Sequence, residues 1–123
     1  MDVQVTVASA DLDDEKVAEA TRELLKEIRG NADPKAQLMT QEAPDDSRGA
    51  YIIFGQIAVA LVSSGAIKSF IQSLFAFLGL RRKLEIEVQN SLGEKLKIKS
   101  DFIDRFGEEK AMALVETFLT RST

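Results

Sequence analysis

The densest group of potential ligands in this chain is Asp11, Asp13, Asp14 and Glu15, four carboxylates within five consecutive positions. Carboxylates so close together are the raw material of a hard-cation site, but a calcium loop also needs alternating ligands and a turn glycine, which this stretch lacks. The same residues suit a helix start, where a carboxylate accepts from free backbone N–H groups, and that is the role expected of them. Asp45 and Asp46 fall in a turn-rich stretch whose chemistry explains them. No serine sits in a Gly-x-Ser-x-Gly elbow, and the 123 residues include no His and no Cys. There is thus no imidazole to activate a hydroxyl, no thiolate nucleophile and no zinc or iron–sulfur ligand set. No glycine-rich phosphate loop is present, and nothing singles out a hydrolytic carboxylate pair. The inventory names no catalytic residue, no metal ligand and no cofactor, and enzymatic activity is not expected.

Charge points the same way. A formal net charge of −4 argues against broad phosphate-backbone binding, so nucleic acid is not an expected partner. The Lys95, Lys97 and Lys99 row reads as a solvated sheet face balanced by glutamates. Met1-Asp2-Val3-Gln4-Val5 lacks the basic and apolar regions of a secretory signal, and with no cysteine a cytoplasmic location is expected.

The elements that would position any site follow from periodicity. Val3, Val5 and Val7 alternate with Gln4 and Thr6, a half-buried strand. Asp13 then caps a helix, with Leu12 and Val17 placed as a hydrophobic staple and Val17, Ala20, Leu24 and Ile28 on one face, ending at Gly30 before Pro34. Ala36 to Thr40 is a short candidate strand, and residues 41–49 form a flexible loop. Leu84-Glu85-Ile86-Glu87-Val88 and Leu96-Lys97-Ile98 close into a hairpin over the loop Ser91-Leu92-Gly93. That register sets Val88 beside Leu96, Ile86 beside Ile98, Glu87 beside Lys97 and Glu85 beside Lys99. Phe102, Ile103 and Phe106 mark a helical turn, and Glu108 to Arg121 a last helix with Ala111, Leu114, Val115 and Phe118 on its apolar face.

Between these lies an apolar stretch, Tyr51 to Leu80, with Lys68 its one charge and Arg81-Arg82-Lys83 after it. In one reading, residues 50–80 are a long central helix or a helix pair broken at Ser63-Ser64-Gly65. Ile67, Phe70, Ile71, Leu74, Phe75, Phe77 and Leu78 would then form a face for a partner or a second copy. In the alternative, residues 51–80 insert into lipid, with Arg81, Arg82 and Lys83 at the headgroups, which would make the chain membrane-associated. Amphipathicity from Ala66 onward and the charge of Lys68 weigh toward a packed helix. The expected architecture is a single α+β domain over residues 1–123: a small, mainly antiparallel sheet of three or four strands packed against helices.

The order of these elements resembles the effector-associated constant component family of bacterial conflict systems. The resemblance is carried over about residues 1–100 by the first strand, the helix ending Leu24-Leu25-Lys26-Glu27-Ile28-Arg29-Gly30, the Gln37-Leu38-Met39 segment, the Ala-, Gly- and Ser-rich stretch from Gly49 to Leu80, and the hairpin. It implies a non-enzymatic partner encoded beside effectors such as trypsin-like or caspase-like proteases. Together with the apolar helical face it leads to the expectation of a protein-interaction and assembly component that scaffolds or regulates such an effector and forms a homo-oligomer. It carries over no functional residues.

Overall fold

A computed structural model describes residues 1–9, 12–42 and 50–121. The chain order is β1 (Asp2–Ala8), α1 (Asp14–Asn31), β2 (Gln37–Glu42), β3 (Ala50–Ala60), α2 (Ser64–Leu80), β4 (Glu85–Gln89), β5 (Lys95–Ile98), α3 (Ser100–Phe106) and α4 (Glu108–Leu119). The five strands form one antiparallel sheet in the order β2-β3-β1-β4-β5, one or two more strands than the sequence leads one to expect. The α+β class holds.

Side-chain alternation decides which face of the sheet is covered. Val3 pairs with Val59, Val5 with Ile57 and Val88, and Val7 with Ile86, so one face is continuously apolar and buried. The helices lie on that face, and the other carries Gln4, Thr6, Gln56, Glu87 and Lys97. The α1 side chains Leu24 and Ile28 are buried in the core cluster shared with the sheet and with Phe70, Ile71, Leu74 and Leu78 of α2. Thr21, on the same face, is buried with its hydroxyl donating to the Val17 carbonyl at 2.7 Å.

Local rules account for the helix ends. The Asp13 carboxylate accepts from the Lys16 N–H at 2.9 Å, the expected cap, and α1 runs through Gly30 to Asn31. Ser63 caps α2 in the same way, accepting from the Ala66 N–H at 3.1 Å. The hairpin has the expected register: Val88 opposite Leu96, Ile86 opposite Ile98, and Glu87 opposite Lys97. Gly93, at φ 83°, supplies the left-handed turn position. Glu85 pairs with Lys99 at 3.4 Å as expected, whereas Glu87 reaches diagonally to Lys95 at 3.9 Å.

Three expectations are corrected. Residues 50–80 are neither one helix nor a helix pair: residues 50–60 are strand β3, and helix begins only at Ser64. The Ser63-Ser64-Gly65 break is therefore a strand-to-helix junction. The loop expected at 41–49 is also partly strand, since Gln41 and Glu42 belong to β2, while residues 43–49 lie outside the described residues. Finally, α4 ends at Leu119, and Leu114 faces solvent while Leu119 is buried in its place.

β3 is irregular for a visible reason. Between Leu38 opposite Ile57 and Thr40 opposite Ile52, two steps along β2 match five along β3. Gly55 sits inside this bulge at φ 79°, and a Cβ there would lie 2.5 Å from the Val7 carbonyl oxygen. Only glycine combines that conformation with so close a backbone approach.

Candidate docking groove between α1 and α2

The seven residues proposed for a partner or self-association face, Ile67, Phe70, Ile71, Leu74, Phe75, Phe77 and Leu78, are all buried in the core. Self-association through these side chains would require α2 to leave the sheet. The apolar helix that would have crossed a membrane is divided between β3 and α2, and among the described residues no helix is long and apolar enough to span one.

A different surface forms where α2 ends. Arg81 closes the helix, and the bonds from Arg81 N–H to the Leu78 carbonyl (3.2 Å) and from Leu84 N–H to the Arg81 carbonyl (3.1 Å) turn the chain tightly into β4. The turn is anchored to the far end of β1, since the Ser9 hydroxyl donates to the Lys83 carbonyl at 2.8 Å. It sets the basic run against the first half of α1. There the Arg81 guanidinium pairs with Glu23 and lies over the Phe77 ring, 4.6 Å from its centroid. Arg82 pairs with Asp104 of α3 at 3.1 Å. Of the basic run expected at lipid headgroups, Arg81 and Arg82 are thus engaged within the fold, and Lys83 makes no ion pair among the described residues.

Two depressions adjoin along the α1–α2 seam. One, of about 340 Å³, lies among Lys16, Glu19, Arg82 and Lys83. The other, of about 550 Å³, lies among Lys26, Glu27, Ser73 and Ala76. Glu23, Leu80 and Arg81 line both. Leu80 is 83% exposed at this shared wall, in contrast to the buried apolar residues along the rest of α2. The Ser73 hydroxyl donates to the Ser69 carbonyl within α2 at 2.9 Å and accepts from the Asn31 side chain at 3.4 Å, a bond that crosses the seam.

The groove offers an apolar anchor point and a rim of both charge signs. Such a surface can hold a protein side chain and orient it, and it carries no nucleophile beside a base. Among the described residues no cluster of three or more potential metal ligands occurs, and Asp11 of the acidic run lies outside the described residues. Sequence reasoning missed Leu80 and Glu23. The available signal was Leu80 itself, a large apolar residue that continues the i, i+4, i+7 row of Ser69, Ser73 and Ala76 on the polar side of an amphipathic helix. No family model, curated protein or solved structure matches the chain.

Proposed function

We propose that this chain is a non-enzymatic interaction component of a prokaryotic conflict system, holding a protease-type effector through the α1–α2 groove. The observation that carries this reading is Leu80, an almost fully exposed leucine at the meeting point of two depressions, ringed by Glu23, Arg81 and Arg82. A lone exposed leucine is ordinary, but one set in a concave, mixed-charge surface has the composition of a protein-binding anchor. The order of elements, which resembles that of effector-associated components, supplies the class of partner.

The test is reciprocal capture of the product of a neighbouring protease gene by the wild-type chain and by Leu80→Asp, with size-exclusion chromatography and vesicle flotation on the same samples. Leu80→Asp is expected to abolish capture while leaving the circular dichroism spectrum and thermal unfolding unchanged. Equal capture by the variant overturns the groove as the docking surface. Flotation of the wild-type chain with anionic vesicles, in place of capture, would instead favour the membrane reading.

A further inference from the structure

β5 forms one border of the sheet: it is hydrogen-bonded to β4 on one side and, among the described residues, to no strand on the other. The bond from the Asn90 N–H to the Glu94 carbonyl, 2.9 Å, sets the phase of the ladder. In an antiparallel pair, residues that exchange two backbone bonds alternate with residues that exchange none. The backbone groups of Leu96 and Ile98 therefore face β4, and the N–H and C=O of Lys95 and Lys97 point away from the sheet.

Lysines on an edge strand ordinarily discourage strand addition. Here the chain also shows what they accept. β4 presents Glu85 and Glu87 to Lys99 and Lys95 on the open face, and Ile86 and Val88 to the core on the other. Along β5 and α3 runs a groove of about 310 Å³ lined by Lys97, Lys99, Asp101, Phe102, Arg105 and Phe106. The Phe102 and Phe106 rings lie 5.2 Å apart, and Phe106 is 36% exposed. Lys97 and Arg105 form no ion pair among the described residues.

We infer that the β5 edge receives an extended segment of a partner protein in which acidic and apolar side chains alternate, added as a sixth strand. Its backbone takes the outward N–H and C=O groups of Lys95 and Lys97, its acidic side chains lie over the lysine row, and its apolar ones enter the Phe102–Phe106 groove. A second copy of β5 is a poor occupant, because it would set lysine against lysine. Single-stranded nucleic acid suits the cations and rings, but it does not use paired backbone N–H and C=O groups, and the net charge of −4 opposes it.

The experiment uses the full chain and a capped, dye-labelled peptide with the sequence of Leu84 to Gln89, read by fluorescence anisotropy. Three comparison probes accompany it: the same peptide with both glutamates replaced by lysine, the same peptide N-methylated on alternate amides, and an oligothymidylate. Saturable binding of the parent peptide is expected, with loss for the lysine and N-methylated forms. Lys97→Glu should weaken binding about fivefold, the effect of one cross-strand charge pair. Phe106→Ser should weaken it as well, with the thermal unfolding of both variants matching the wild type. Leu80→Asp should bind the peptide unchanged, which separates this surface from the α1–α2 groove. Absent saturable binding, undiminished binding of the N-methylated or lysine peptide, or preference for the oligothymidylate would each overturn the inference.

Discussion

The Asn90 side-chain amide donates to the Phe118 main-chain carbonyl at 3.0 Å, joining the turn of the β4–β5 hairpin to the last turn of α4. Asn90 is 3% exposed, and its remaining polar capacity is also used. Its Nδ2 donates to Glu94 Oε1 at 3.0 Å, and its Oδ1 accepts from the Leu92 and Glu94 N–H groups at 3.1 and 3.0 Å. One side chain thus shapes the turn and fastens α4 to it.

Asn90→Ala removes all of these bonds and leaves a carbonyl of α4 without its donor, a loss of about 2–3 kcal/mol. Asn90→Asp retains the acceptor for the turn but sets a carboxylate against the Phe118 carbonyl and the Glu94 carboxylate, so it should destabilise at least as much. Urea unfolding followed by far-UV circular dichroism measures both, since the chain contains no Trp. Wild-type stability in Asn90→Ala would mean that α4 is held without this link.

Asp33 does comparable work across the sheet, on the β2–β3 side. Its buried carboxylate accepts from the Ala60 N–H at 2.8 Å and from the Lys35 N–H at 3.0 Å, tying the α1–β2 turn to the end of β3. Asp33→Ala strands the Ala60 donor and should cost about 1.5–3 kcal/mol, the range for bonds to a charged group. Asp33→Asn keeps one acceptor and should fall between the variant and the wild type in the same unfolding assay.

At Gly55 the obstacle is backbone. Any side chain there meets the Val7 carbonyl oxygen at 2.5 Å and must also hold φ at 79°. Gly55→Ala should destabilise by about 3 kcal/mol or more, combining conformational strain with displacement of β1 from β3. An unchanged unfolding midpoint would show that the bulge relaxes without cost.

Phe70 and Leu74 are both fully buried. Phe70→Asp combined with Leu74→Asp sets two carboxylates in the apolar core, each costing several kcal/mol, against a total stability of about 5–15 kcal/mol for a domain. The double variant should be unfolded by circular dichroism, rather than a folded chain with a smaller assembly. A folded spectrum would return α2 to consideration as an interface.

What could be read from sequence was whatever local pattern dictates. The hairpin register followed from alternation across Leu84 to Val88 and Leu96 to Ile98 together with a three-residue turn, and α1 followed from Asp13 and a clean apolar stripe. β3 was misread because its open-face positions carry Ala58 and Ala60 next to core-facing Ile57 and Val59, so polarity does not alternate along it. Small apolar residues on both faces make a strand indistinguishable by period from a buried helix. The glycine and β-branched residues of Ile52-Ile53-Phe54-Gly55 were the remaining clue. The groove was illegible for another reason: Glu23 and Arg81 meet across 58 positions of sequence, and only the fold brings them together.

Leu80→Asp separates fold from surface at that groove. With 83% of the residue exposed, the leucine contributes little to the core, so the substitution should change stability by no more than about 0.5 kcal/mol. Arg81 and Glu23 would keep their pairing, which lies on the α1 side of the turn. A partner that seats an apolar side chain against Leu80 would instead meet a shorter, charged side chain in place of its apolar contact, and truncating or charging such an anchor typically costs about 2 kcal/mol or more of binding free energy. Titration of the captured partner against both proteins, with their unfolding curves run in parallel, should therefore show at least about a thirtyfold loss of affinity at nearly constant stability. Parallel losses in both would assign Leu80 to the fold, and no loss in either would remove it from the docking surface.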